Sequence, residues 1–208
     1  MVSGNFFIIY WTGDFWVYRR DRYIYISDEI LISQMIQKYS KYRVLQQFFD
    51  SPRKAFLIRE LSRNMKLSVP SVRLHIKALL AEGLLIKDKT GLYPSFRAAK
   101  ESPLFKLLKA QNMVLRLYQT GVLSTIEKAT YPSCIVLFGS ASRGEDTEES
   151  DIDLFVQAKR IKLDLNKFEK TLIRKINLLF EPDLTTISPE LLNNLANGTV
   201  VYGYLKVV

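Results

Sequence analysis

The feature that constrains this chain most is a pair of apolar runs joined by a glycine turn and an acidic loop. A buried strand is predicted over residues 133–138, Gly139 and Ser140 follow it directly, and Asp151 and Asp153 stand at the start of a second apolar run. Carboxylates two residues apart on a strand point to the same face. Because neighbouring carboxylates repel each other unless a cation lies between them, the pattern predicts a cation site at the strand ends.

The residue types around this pair favour Mg²⁺ and phosphate. Mg²⁺ prefers carboxylate and phosphate oxygens, Gly139 allows the backbone to approach a phosphate closely, and Ser140 adds a hydroxyl donor. A third carboxylate is expected on a neighbouring strand. Asp183 is the best placed, opening a strand over residues 183–187 after a helix over residues 165–179, and Glu181 is the alternative. The acidic run of residues 145–149 is interpreted as a solvated loop.

This segment closely resembles the nucleotidyltransferase superfamily of the DNA polymerase β type, in its minimal, antitoxin-like form. The resemblance covers about residues 105–208. The shared pattern is Gly-Ser, then Arg-Gly, then Ser-Asp-x-Asp. In this chain it runs through Gly139, Ser140, Arg143, Gly144, Ser150, Asp151 and Asp153.

The resemblance implies an enzyme that moves a nucleoside monophosphate, with AMP from ATP the expected case, to a hydroxyl of a protein or small molecule. Two Mg²⁺ ions would be held by Asp151, Asp153 and Asp183, and Asp183 would help to deprotonate the attacking hydroxyl. The nucleotide would lie against Gly139, Ser140, Arg143 and Gly144. A small helical toxin-type partner is also implied.

The positive charge of the chain is confined to one block. Residues 41–100 hold thirteen Lys and Arg against four Asp and Glu, which equals the net charge of +9 for the whole chain. The flanking segments are each neutral. A basic block beside neutral ones predicts a separate module that faces a polyanion.

The basic block has the layout of a winged helix-turn-helix. Asp28 is predicted to cap a first helix. Further helices are predicted over residues 42–49 and 55–64, and another begins after Ser68 and ends at Gly83. A hairpin with strands 84–87 and 92–96 follows. Residues 42–98 resemble archaeal and bacterial winged-helix regulators. The predicted DNA contacts are Ser68, Ser71, Arg73, Lys77, Lys87 and Lys89. A protein-interaction winged helix with a solvated basic face is the alternative.

Residues 1–27 are predicted to form an aromatic β-hairpin extension, with strands over residues 6–11, 15–18 and 23–26. We interpret it as a packing element, against the basic module or a second copy of the chain. A stacking platform for nucleic acid, with Arg19, Arg20 and Arg22 nearby, is the second interpretation. The third is that translation begins later, at Met35.

Composition excludes several classes of protein. A single cysteine, Cys134, excludes an internal disulfide framework and a cysteine-based zinc site, and we assign it to the core. A single histidine, His75, argues against Ser-His-Asp catalysis. It would contact a phosphate or fill the edge of the helix packing, and we favour packing. No apolar run has the ~18–20 residues of a membrane span, so a cytoplasmic location is expected.

The sequence therefore predicts an α+β chain in three parts: the extension at 1–27, a winged helix domain at 28–100, and a small nucleotidyltransferase α/β domain with a mixed sheet at 101–208. A homodimer is expected, because winged helices read two half-sites. The predicted function is Mg²⁺-dependent nucleotidyl transfer coupled to DNA binding. The alternative is a DNA-binding regulator or antitoxin whose second domain binds nucleotide or a partner without turnover.

Overall fold

The computed structural model describes residues 39–88 and 93–206, together with the backbone of residues 8–11, 16–20 and 23–24. The chain forms two compact units, Met1–Tyr39 and Ser40–Val208. The helix predicted after Asp28 and the turn at Lys89 lie outside the described residues. Within the described part of the chain, no helix is both long and apolar enough to cross a membrane.

The first unit contains an antiparallel sheet of three short strands, β1 (Ile8–Trp11), β2 (Trp16–Arg20) and β3 (Tyr23–Ile24), in that order. The register places Ile8 opposite Arg19. These strands confirm the predicted hairpin pattern over the residues described. The packing and stacking interpretations of its aromatic side chains both stay predictions.

The second unit begins with three helices and a small sheet. In chain order they are α1 (Ser40–Asp50), β4 (Phe56–Leu57), α2 (Ile58–Met65), α3 (Val69–Ala81), β5 (Leu85–Asp88) and β6 (Ser95–Ala98). The sheet order is β4-β6-β5, and all its pairs are antiparallel. The helices enclose an apolar core that includes Phe48, Leu61, Ile76 and Leu79.

The boundaries of α3 follow from its local sequence. The Ser68 hydroxyl accepts the Ser71 amide at 3.3 Å, and Pro70 lies in the first turn, where its missing N–H costs nothing. Gly83 follows the helix with φ +69°, so both predicted ends are confirmed. The prediction of helix from residue 55 was wrong, because residues 56–57 pair with β6 and α2 begins at Ile58.

Two helices then lead to the second core, α4 (Pro103–Thr120) and α5 (Val122–Thr130). Gly121 separates the two helices and takes φ +76° between them. The helix α4 contributes side chains to two hydrophobic cores. Phe105 packs with the α1–α3 core, whereas Met113 and Leu117 belong to the core of the following sheet.

The remaining elements build a four-stranded mixed sheet. They are β7 (Cys134–Phe138), α6 (Gly139–Ser142), β8 (Ile152–Val156), α7 (Asn166–Leu172), β9 (Ile176–Phe180), a 3-10 turn (Leu184–Thr186), α8 (Pro189–Ala196) and β10 (Thr199–Gly203). The strand order is β10-β7-β8-β9. Only the β8–β9 pair is parallel. This arrangement confirms an α+β fold with a mixed sheet.

The sequence prediction was wrong on the segment between β8 and α8. The helix ends at Leu172, and Ile173 takes the left-handed conformation with φ +57°. Residues 176–180 then form the parallel strand, because their apolar side chains complete the sheet beside β8. The strand predicted over 183–187 is instead a 3-10 turn with Asp183 at its cap.

Candidate functional site

The site begins where β7 ends beside β8. The antiparallel register places Phe138 opposite Asp153, so Gly139 comes next to the Asp153 side chain. Gly139 has φ +72°, and a Cβ there would lie 2.7 Å from Asp153 Oδ2. Backbone conformation and space therefore both require glycine at this position.

Asp151 and Asp153 converge on one amide. In the parallel register Asp153 is opposite Asn177 of β9. The Asn177 Nδ2 group donates to Asp151 Oδ2 at 3.1 Å and to Asp153 Oδ1 at 3.1 Å. Asp153 is half-buried and Asp151 is exposed. The structure thus brings together the two carboxylates that the sequence pairs, and adds Asn177, which the sequence analysis missed.

The turn after Gly139 is held by its own hydrogen bonds. The Ser140 carbonyl accepts the amides of Arg143 at 3.2 Å and Glu145 at 2.9 Å. The Ser142 hydroxyl donates to the Gly139 carbonyl at 2.8 Å. Ser140 itself is half-buried beside Gly139, so the turn has a defined shape next to the carboxylates.

Arg143 and Gly144 have structural roles in this loop. Arg143 Nε donates to Glu145 Oε2 at 2.9 Å, and Lys106 Nζ donates to Glu145 Oε1 at 3.1 Å. These two cations hold the pKa of the Glu145 carboxyl below its usual value. A Cβ at Gly144 would collide with the Lys106 carbonyl. Their predicted nucleotide contacts stay predictions.

The acidic loop is not uniformly solvated, which corrects the sequence interpretation. Glu145 and Glu149 are exposed, but Asp146 is only 3% exposed. Its Oδ1 lies 2.9 Å from the buried Lys109 Nζ, and its Oδ2 lies 3.5 Å from Arg174 Nη2. Burial lowers the pKa of Lys109, and the charge of Asp146 opposes that shift. This buried ion pair fixes the loop to α4.

Asp183 occupies a different setting from the one predicted. Its Oδ1 accepts the Thr185 amide at 2.9 Å, and the hydrogen bonds from Thr185 lower its pKa. Among the described residues, no three acidic, histidine or cysteine side chains form a group that could hold a metal ion. The structure therefore does not assemble Asp151, Asp153 and Asp183 into such a group.

A groove of about 390 Å³ lies beside Asp151. Its lining includes acidic and basic side chains, among them Glu169 of α7 and Lys175, which directly precedes β9. Lys175 Nζ pairs with Glu169 Oε2 at 2.8 Å, and this hydrogen bond, with the negative charges of Glu169 and Asp151, raises the pKa of Lys175. The groove provides an approach to the carboxylate pair from the α7 side.

The predicted DNA contacts on α3 are of two kinds, exposed cations and serines of the N-terminal turn. Arg73 and Lys77 are exposed, whereas Val72 and Ile76 on the opposite face are buried. His75 is half-buried; its Nε2 lies 2.7 Å from Ser40 Oγ and 3.3 Å from Ser71 Oγ.

The contact of His75 with Ser40 joins α1 to α3, as expected for a packing residue. Ser68 and Ser71 belong to the N-terminal turn of α3. Lys87 is exposed on β5, and Lys89 lies outside the described residues.

Comparison with known proteins supports the interpretation of the second half of the chain. Residues 122–203 match the family model described as "Polymerase beta, Nucleotidyltransferase". The matched region includes β7, the Gly139 turn, Asp151 and Asp153, and Asn177. A comparison with curated proteins gave no match. The family match supports the nucleotidyltransferase superfamily for residues 122–203, and with it nucleotidyl transfer as the general class of activity.

Proposed function

We propose that this protein binds a nucleoside triphosphate with Mg²⁺ beside Gly139 and transfers the nucleoside monophosphate to a hydroxyl group. The observation that carries the proposal is the convergence of Asp151 and Asp153 next to a glycine that leaves no room for a side chain. ATP is the expected donor and AMP the expected transferred group. The acceptor is a hydroxyl of a protein or a small molecule.

The donor set fits a divalent cation. Two carboxylates that share one amide donor already point to a common place, and Mg²⁺ takes oxygen ligands of this type together with phosphate oxygens. Asp151 and Asp153 would hold the ion, which would offset negative charge on the phosphates. The absent Cβ at Gly139 leaves space beside Asp153, and the Ser140 hydroxyl adds a donor for a phosphate oxygen.

The reaction balances without a redox step. The acceptor oxygen forms a bond to the α-phosphorus, the bond from that phosphorus to the bridging oxygen breaks, and pyrophosphate leaves. The acceptor proton passes to solvent. The groove beside Asp151 offers an acceptor a route to this place, since it opens on the side of Asp151 where α7 lies.

The test uses ATP labelled at the α-phosphate, Mg²⁺ and the full chain. We expect label to be transferred to the protein itself or to an added protein partner, and expect Asp151→Asn with Asp153→Asn to abolish it. Glu190→Gln, an exposed site on α8, is the matched control and should keep the activity. Transfer that survives in the double variant would contradict the proposal, as would no transfer by the wild-type chain.

We propose as a second function that residues 40–98 bind duplex DNA as a winged helix. The order α1-β4-α2-α3-β5-β6 supports this, and α3 presents Arg73 and Lys77 on its exposed face. Each cation that neutralises a phosphate releases a counterion, so affinity should fall steeply with salt. If nucleotide binds and changes DNA affinity but no label is transferred, the chain is a regulator without turnover.

DNA binding is tested by fluorescence polarisation with a random-sequence duplex over a range of salt concentrations. Arg73→Ala with Lys77→Ala should weaken binding and reduce the log–log salt slope by about 2. Arg160→Ala with Lys162→Ala removes the same charge from exposed positions after β8 and should leave the slope unchanged. No duplex binding at low salt, or equal effects of both pairs, would rule the proposal out.

A further inference from the structure

Asn177 stands where the sheet would present a third carboxylate. It lies on β9 directly opposite Asp153, and β9 is the strand next to the carboxylate-bearing strand. The two carboxylates expected from sequence both lie beyond the end of β9: Glu181 follows Phe180 directly, and Asp183 caps the 3-10 turn and hydrogen-bonds Thr185. The side chain in register with the site is therefore a neutral amide.

The amide satisfies the two carboxylates in the way that a cation otherwise would. Its Nδ2 group donates to one oxygen of Asp151 and one of Asp153, both at 3.1 Å. Hydrogen bonds from one donor group to both carboxylates offset the repulsion between them. The pair is thus held in place by a group that carries no charge.

An amide and a carboxylate differ in two properties that matter here. A carboxylate adds a full negative charge for binding a second cation, whereas an amide oxygen is a neutral ligand. A carboxylate can also act as a general base toward the attacking hydroxyl, and an amide cannot.

We propose that Asn177 limits the site to one divalent cation per bound nucleotide and leaves it without a protein base on β9. This inference rests on the proposed nucleotide site. It replaces the two-ion expectation with a site in which Asp151 and Asp153 hold a single ion. Nucleotidyl transfer in the wild-type chain is accordingly slow, and one substitution converts the site to a two-ion site.

The test counts bound metal rather than turnover. The full chain is dialysed to equilibrium against Mn²⁺ and α,β-methylene-ATP, which cannot release pyrophosphate, and the retained metal and nucleotide are both measured. We expect one Mn²⁺ per nucleotide for the wild-type chain and two for Asn177→Asp. Asn177→Ala should also retain one.

The matched control is Asn194→Asp, which adds the same charge at an exposed position of α8 and should retain one Mn²⁺. Asn177→Asp should unfold at a lower temperature than wild type without metal, because three carboxylates then repel one another. Mn²⁺ should reverse that loss. In the α-labelled ATP assay, Asn177→Asp should raise the transfer rate by roughly 10²-fold, the range of a general base.

The outcomes separate this inference from the proposed function. Two Mn²⁺ per nucleotide on the wild-type chain overturn the inference alone, and this measurement needs no variant to fold. A folded Asn177→Asp chain that still retains one Mn²⁺ overturns it as well. No retention of nucleotide by the wild-type chain overturns the proposed nucleotide site and the inference with it.

Discussion

At Gly139 the backbone conformation and the adjacent Asp153 carboxylate both exclude a side chain. Replacing Gly139 with alanine places an L-residue at φ +72° and a methyl group 2.7 Å from Asp153 Oδ2. The backbone cost is about 1–2 kcal/mol. The carboxylate must also move, so we expect Gly139→Ala to weaken binding of α,β-methylene-ATP by roughly tenfold, equivalent to about 1.4 kcal/mol. Urea unfolding and calorimetric titration measure the two effects.

Gly121→Ala is the control that distinguishes the cost of backbone strain from the effect of the contact with Asp153. The Gly121 φ of +76° matches that of Gly139, but a Cβ there would meet no atom within 4 Å. Gly121→Ala should therefore show a similar loss of stability and unchanged nucleotide affinity. Equal losses of affinity in the two variants would show that the contact with Asp153 does not matter for binding.

Cys134 should be inert in the folded protein. It is fully buried in β7, and burial raises the pKa of its thiol to about 11. At about pH 8 only on the order of one thiol in a thousand would be ionised, and the thiolate is the reactive form. We expect no reaction with a disulfide reagent until guanidinium chloride unfolds the chain. Ser124→Cys, at an exposed position of α5, should react at once; reaction of native Cys134 at a similar rate would contradict this assignment.

At the residue scale, the sequence predicted the pair Asp151 and Asp153 but missed their partner. Strand spacing alone places those two carboxylates on one face. Asn177 could be found only from the parallel register of β9, which depends on where the preceding helix ends. A neutral amide also lay outside the prediction, because only a carboxylate was expected at the third position. Asp146 was missed for a related reason, since its buried partner Lys109 lies 37 positions away.

At the element scale, the acidic loop is anchored to α4 by the Asp146–Lys109 pair. Both side chains are almost fully buried, and Oδ1 and Nζ are 2.9 Å apart. Asp146→Ala leaves the Lys109 cation buried without its partner carboxylate, which typically costs about 3–5 kcal/mol. We expect that loss in the free energy of unfolding by urea.

Two further variants test whether the stability lost in Asp146→Ala comes from the buried ion pair. Glu149→Ala removes a carboxylate from the same loop that is 85% exposed, and it should change stability by less than about 0.5 kcal/mol. Lys109→Met with Asp146→Leu replaces both charges by apolar groups and should recover part of the stability, because Arg174 still loses its contact with Asp146. If Asp146→Ala costs no more than Glu149→Ala, the pair does not anchor the loop.

Elements with strong local signals were predicted well, and elements decided by long-range pairing were not. Ser68 and Gly83 mark the two ends of α3 through their own conformational preferences, and the structure confirms them. Residues 176–180 form a strand because they pair with β8. Their apolar run also suits a helix, so periodicity alone could not separate the two.

At the scale of the whole molecule, α4 joins the two halves of the Ser40–Val208 unit. Phe105, at its N-terminal end, is buried against Phe49 of α1 with ring centroids 5.2 Å apart. Two turns later Met113 packs into the core of the mixed sheet. Arg116 adds a charged link, since it pairs with Asp50 of α1 and donates to the Leu172 carbonyl at 3.0 Å. Neither core is complete without this helix.

This sharing predicts a single unfolding transition for residues 40–208. Phe105→Ala should lower the free energy of unfolding by about 3–5 kcal/mol, as for other buried aromatic residues. Amide hydrogen exchange should increase by a similar factor in α3 and in β7, because both cores depend on α4. Leu107→Ala, on the same helix but 54% exposed, should change stability by less than about 0.5 kcal/mol. If Phe105→Ala raises exchange in α3 and leaves β7 protected, the two cores unfold independently, and α4 is only a connection between them.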